Sequence, residues 1–161
     1  MAKLGFEDNA LQRLYAGFKW ARNNFLQLFD AAQTANLLDW EPEGMGQHGV
    51  LYQFQCLATT TDTYCRRISG HADTRFGIIL EENIAIEKQD ISAAEVKALL
   101  AKQLPALELL LKPFDASKFE KEVRNIQSIA NHEYLHQGQL VVIFRQAGIA
   151  IPERFRKAFD L

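Results

Sequence analysis

Cysteine is scarce in this chain, with Cys56 and Cys65 the only two. If both lie on one helix they are about 13 Å apart in rise and point to opposite sides. A disulfide between them is therefore excluded by geometry. Free thiols, and no apolar leader in the opening MAKLGFEDNALQ, predict a reducing cytoplasm. No apolar run approaches the roughly 20 residues that a bilayer span needs, so no membrane association is expected. Charge of one sign is also missing: 18 Lys and Arg against 20 Asp and Glu give a net charge of -2. A dedicated nucleic-acid binder usually carries a clear basic excess, so nucleic acid is not an expected partner. The basic cluster of Arg154, Arg156 and Lys157 reads as a solvated face. What is present in quantity is apolar side chain, 48% of 161 residues. That suffices for one sizeable core and predicts a single domain over 1–161.

The periodicity of those apolar residues is helical. Leu11, Leu14, Tyr15, Phe18, Ala21, Phe25, Leu28 and Phe29 recur at three- and four-residue spacing, predicting a helix from about Asn9 to Phe29. The following LLDWEPEGMGQHG, with one proline and three glycines, reads as a loop. A second helix is expected from about Gln47 to Ser69, with Val50, Phe54, Leu57, Thr61, Cys65 and Ile68 on one side and Gly70 as its stop. The segment 71–89 fits either a short hairpin of Ile78, Ile79, Ile84 and Ile86 or an irregular crossing. A connection that long usually has a topological or functional reason.

Ser92 to Glu95, SAAE, is a capping box that opens a third helix. Its inward stripe is Val96, Leu99, Leu100, Gln103, Leu107, Leu110 and Leu111. Pro105 should kink it, and Pro113 marks its end. A second box, SKFE at Ser117 to Glu120, opens a fourth helix that runs to Ala147, with Gly148 at C′. A short basic helix over about 152–159 closes the chain. The expected fold is therefore all-α, a four-helix bundle. Short links make helices one and two, and three and four, antiparallel neighbours. The long 2–3 connection suits a crossover that leaves helices two and three parallel, an up-down-down-up order.

Four histidines are present, so NHEYLHQGQL, which holds two of them four residues apart, carries weight. With His132 at zero and about 100° per residue, His136 falls near 40°, Asn125 and Ile143 near 20° and Gln139 near -20°. Both imidazoles thus sit on the face that meets the bundle, with Cβ atoms about 6 Å apart, within reach of one ion. Two buried imidazoles side by side are costly unless both are neutral and satisfied, and a metal satisfies both. Gln139 and Asn125 on the same face are candidates to fix the ring tautomers. The bland alternative is a pair of core histidines with hydrogen-bonded ring nitrogens.

HEYLH also fits HExxH, the zincin signature, with Glu133 as general base. That reading is disfavoured. No histidine follows His136 to supply a third ligand, and the downstream carboxylates are Glu153, beyond a helix stop, and Asp160. Glu133 is expected at the edge of the inward face, about 100° round from His132.

The run HEYLHQGQLVVIFRQAGIAIP resembles the end of the fourth helix in the DinB/YfiT-like family of metalloenzymes. The shared pattern is a histidine, three residues, a second histidine, then a small residue with Gln-Leu and a helix end in Gly before Pro. Helix order, helix lengths and the long 2–3 crossover agree along nearly the whole chain. The resemblance implies an up-down-down-up bundle, often a dimer, holding a divalent metal, commonly zinc or nickel. Two histidines of helix four and one of helix two are the implied ligands, and some relatives are thiol-dependent transferases or isomerases with a low-molecular-weight thiol as cosubstrate.

The third ligand departs from that pattern. Matching YQFQCLATTTDTYCRRI to the family's second helix puts Cys56 where a histidine usually stands. Helix levels place Tyr52, Gln53 and Cys56, bordered by His48, opposite His132 and His136. Cys56 as thiolate would give a His₂Cys set with an open position for water or a small-molecule substrate. His48 is the chemically safer ligand but lies in a glycine-rich helix entry, and loss of the metal site is a third alternative. His71, at the far end of helix two, is too distant. The expected function is metal-dependent thiol-linked group transfer or hydrolysis. Its rival is a metal-free small-molecule-binding or scaffolding bundle. Tyr134 and Val141, outward on helix four, also suit a homodimer.

Overall fold

The computed structural model describes residues 9–43, 49–69, 91–112 and 119–159. They form four main helices, α1 (Asn9–Thr34), α2 (Val50–Ser69), α3 (Ala93–Leu111) and α4 (Phe119–Gln146), and a short α5 (Glu153–Phe159). No strand occurs among the described residues. Also among them, no helix is long and apolar enough to cross a membrane. The expected hairpin or crossing at 71–89, the stop at Gly70, and the start of the box at Ser117 lie outside the described residues, as do His48 and His71.

Local chemistry explains the helix limits. Ser92 caps α3 as expected, its side chain and that of Glu95 each taking the other's backbone N–H. The helix assignment continues across Pro105 to Leu111. At the end of α4, Gly148 has φ +68. Ile149 N–H donates to Phe144 O at 2.9 Å and Gly148 N–H to Arg145 O at 3.2 Å, the paired bonds of a Schellman stop.

The same stop, with an asparagine in the glycine's place, ends α1. Asn36 has φ 54, Leu37 N–H donates to Ala32 O at 2.9 Å and Asn36 N–H to Gln33 O at 3.1 Å. Helix α1 therefore runs to Thr34 rather than to Phe29, burying Ala32 on the way.

Two apolar clusters fix the topology. One joins the late part of α1 (Phe25, Leu28, Phe29) to the starts of α2 (Val50, Phe54) and α3 (Val96, Leu99, Leu100) and the end of α4 (Leu140, Ile143, Phe144). The other joins the start of α1 (Leu11, Tyr15, Phe18) to the ends of α2 (Cys65, Ile68) and α3 (Leu107, Leu111) and the start of α4 (Ile126, Ile129). Helices α1 and α4 thus point one way and α2 and α3 the other, the up-down-down-up order.

The neighbours differ from the expected ones. The main backbone packing is α1 on α4 and α3, and α2 on α4 and α3. Sequence-adjacent α1 and α2 face each other across the bundle diagonal. They meet through long side chains, with Phe25 and Phe29 against Phe54 at ring-centroid distances of 4.8 and 4.7 Å. A short link constrains direction but does not require side-by-side packing, because bulky phenylalanines fill the centre.

Between the apolar clusters lies a polar layer drawn from all four main helices. Arg22 of α1 is completely buried. Its Nε donates to Glu133 of α4, and Nη1 donates to Leu100 O and Gln103 Oε1 of α3, both at 2.9 Å. Nη2 donates to Thr61 Oγ1 of α2 at 2.8 Å. Gln103 Nε2 donates to Ala58 O at 2.7 Å, which leaves Gln103 Oε1 as the acceptor Arg22 needs. A buried guanidinium is tolerated when a carboxylate and well-aimed acceptors take its N–H groups, and here they do.

Candidate metal centre

Antiparallel packing of α2 on α4 brings two stretches of the chain level with each other. One turn of α2 carries Gln53 and Cys56, and one turn of α4 carries His132 and His136. Cys56 Sγ lies 3.7 Å from His132 Nε2. His136 Nε2 lies 2.8 Å from His132 Nε2. The ligand atoms of Cys56, His132 and His136 all fall within 4.8 Å of one another.

The protonation pattern follows from the neighbours. His136 Nδ1 is 2.6 Å from Gln53 Oε1. A carbonyl oxygen only accepts, so Nδ1 carries the hydrogen and Nε2 presents its lone pair toward His132 and Cys56. Burial holds the His132 pKa below its ordinary value, which favours the neutral ring that a metal requires.

The donor set suits a borderline or soft divalent ion. Zinc bonds of about 2.0–2.1 Å to nitrogen and about 2.3 Å to sulfur imply tetrahedral edges near 3.3 Å (N to N) and 3.6 Å (N to S). The Cys56–His132 separation meets the second value. The two histidine nitrogens sit inside the first, at hydrogen-bond distance, and would part by about half an ångström around an ion.

The structure therefore gathers Cys56 with the two histidines, whereas His48 lies outside the described residues. Gln53, expected only to lie opposite the histidines, is the side chain in hydrogen-bond contact with the His136 ring. Gln139 is half-buried, and its Oε1 has no hydrogen-bond partner among the described residues. Asn125 and Tyr52 are half-buried on the same two helices.

Glu133 is not at the edge of the inward face but completely buried. Burial pushes its carboxyl up to about 7, with the Arg22 guanidinium opposing. Its Oε1 is occupied by Arg22, and it is not part of the three-ligand group. That geometry weighs further against the zincin role. Sequence reasoning missed Arg22, although the signal was present. It continues the apolar stripe from Phe18 toward Phe25, where a charge has no solvent.

The two thiols are in different surroundings. Cys56 is half-buried and Cys65 fully buried, and neither is in a disulfide. Burial, reinforced by the Asp62 carboxylate and opposed by Arg22, pushes Cys65 from its ordinary value near 9 up to about 12. The folded state therefore keeps a proton that the unfolded chain loses, and stability present below pH 9 declines as the pH rises toward 12. Ellman's reagent at pH 8 is expected to titrate one thiol in the native protein, lost in Cys56→Ser, and two after unfolding. Two native equivalents would contradict this assignment.

Comparison of the chain with protein-family models, with curated proteins and with solved structures finds no match. The bundle and the three-ligand group stand on the geometry alone.

Proposed function

We propose that the protein is a metal-dependent enzyme of the DinB-like kind, in which Cys56, His132 and His136 hold one divalent ion. The observation that carries this reading is the convergence of three ligand atoms from two antiparallel helices within 4.8 Å. The hydrogen bond from His136 Nδ1 to Gln53 supports it, because a ring so held presents the Nε2 lone pair that ligation uses. The up-down-down-up bundle and the histidine motif of α4 agree with the family resemblance.

Zinc and nickel suit two imidazoles and a thiolate. Three protein ligands leave a coordination position open, and an ion there lowers the pKa of a bound water or thiol, or polarises a carbonyl. Thiol-linked group transfer and hydrolysis are the reactions this supports. In either, Gln53 holds the Nδ1 proton of His136, and the buried Arg22–Glu133 pair fixes the turn of α4 that carries both histidines.

A metal-free binding bundle is favoured by one observation. At 2.8 Å the two histidine Nε2 atoms satisfy each other if one is protonated. Elemental analysis of untagged protein prepared without chelator separates the readings. We expect near one zinc or nickel per chain, absent from a His132→Ala/His136→Ala double variant. Cobalt substitution should add a near-ultraviolet thiolate charge-transfer band that Cys56→Ala removes. No bound metal, even after incubation with zinc or nickel, would leave the metal-free bundle as the reading.

A further inference from the structure

Of the three side chains in the ligand group, only the cysteine stands on a reversible oxidation ladder. A metal-bound thiol is held as thiolate, and thiolate is also the form that oxidants attack. The placement of Cys56 leaves it open to such attack. His136 is 4% exposed, whereas Cys56 and His132 are half-buried, so the group lies at the edge of the bundle with Cys56 among its accessible members. The other thiol, Cys65, is completely buried.

Two further observations fix what oxidation does here. Both thiols are on α2, and the stretch of helix between them rises about 13 Å. A disulfide between them is out of reach. With no resolving thiol at hand, oxidised Cys56 stays as the sulfenic acid or pairs with a small thiol from solution. The histidines, for their part, are placed to do without an ion. Their Nε2 atoms lie 2.8 Å apart and satisfy each other when one is protonated. Gln53 keeps Nδ1 of His136 bonded in either state. Loss of the ion therefore does not strand the nitrogens that held it.

We propose that Cys56 is a redox latch on the metal site: oxidation by a hydroperoxide removes the thiolate ligand and frees the ion, and reduction by a small thiol restores the site. The inference rests on the metal reading above and concerns its regulation. Cys56 Sγ attacks one oxygen of hydrogen peroxide, and the O–O bond breaks as an S–O bond forms. Hydroxide leaves and takes up a proton, so sulfur gives two electrons and the peroxide ends as water and the S–OH group. That group is no longer an anionic donor, and two imidazoles fall short of the three protein ligands that zinc sites keep. Two small thiols reverse the step: the first forms a mixed disulfide with loss of water, and the second displaces Cys56 as thiolate.

The test treats the zinc-loaded full chain with a slight excess of hydrogen peroxide. Freed zinc is read with a chromogenic chelator, and dimedone, which traps sulfenic acid, is located by peptide mass spectrometry. About one zinc per chain should be released, with dimedone on Cys56 and none on Cys65. Dithiothreitol should restore zinc binding in samples not given dimedone, and far-ultraviolet circular dichroism should not change at any stage. Cys56→His keeps three ligands and should hold its zinc through the same treatment. Cys65→Ala should release zinc as the parent does. A parent chain that keeps its zinc in peroxide, or releases it with Cys56 unlabelled, overturns this inference and leaves the metal reading standing. Equal release from Cys56→His does the same. A parent chain that takes up no zinc before peroxide is added overturns both.

Discussion

Arg22→Met is expected to destabilise the metal-free protein by about 3–5 kcal/mol, the range for leaving a buried charge without its partner. The substitution strands Glu133, which is completely buried and whose Oε2 already has no hydrogen-bond partner among the described residues. It also removes the donors that Leu100 O, Gln103 Oε1 and Thr61 Oγ1 now share. Urea unfolding at several pH values measures the loss. Burial raises the Glu133 pKa from its ordinary 4.5 to about 7 even with Arg22 in place. A raised folded-state pKa gives a contribution that is complete below 4.5 and lost as the pH rises through 7. Without Arg22 the pKa rises further, so the deficit of the variant should be largest in alkaline solution and shrink as acid protonates Glu133. The double variant Arg22→Met/Glu133→Leu should recover much of the loss, since neither charge is then stranded. A single variant within about 1 kcal/mol of the parent would mean that water reaches this layer and screens it.

Saturating zinc is expected to stabilise the parent chain and leave the double-histidine variant unmoved. Ion at 100 times its dissociation constant adds about 2.7 kcal/mol if only the folded state binds it. For a chain of this size that corresponds to a midpoint rise of roughly 5–10 °C. Residual zinc binding by cysteine and histidine in the unfolded chain trims the figure without changing its sign. Gln53→Leu should keep the fold but weaken zinc about 10- to 100-fold, the usual effect of removing the group that orients a ligand histidine. Calorimetric titration of the metal-free proteins reads both effects. An unchanged affinity in Gln53→Leu would mean that the 2.6 Å contact with His136 does not set the ring.

Periodicity and punctuation made much of the bundle legible. Apolar spacing located α1, α2 and α3, the SAAE box located the start of α3, and the Gly148 stop located the end of α4. Chain direction followed from the lengths of the connections. Asn36 hid the end of α1, because asparagine enters the left-handed region far less often than glycine and is a weak stop signal. The diagonal placement of α1 and α2 was not legible, since it depends on how Phe25, Phe29 and Phe54 share the bundle centre. At the site, the two histidines follow from a spacing of four on one helix. Cys56 depends on the level of α2 against α4, which sequence fixes only to within about a turn. Arg22 was readable in principle as a charge inside an apolar stripe. Its partners come from three other helices, which no local pattern connects.

The order in which the chain leaves the ribosome follows from the same topology. Until α4 has emerged, Arg22 has no carboxylate and Cys56 has no imidazoles, because both depend on residues 76–111 positions further along. A nascent chain halted at α3 offers Arg22 the acceptors of Thr61, Leu100 and Gln103 but no carboxylate, and holds only Cys56 of the three candidate ligands. Synthesis at roughly 5–20 residues per second makes that interval several seconds long. If the site takes its ion, uptake would wait for α4: the last of the four main helices closes the polar layer and the ligand set together, and an occupied site would report that α4 has packed.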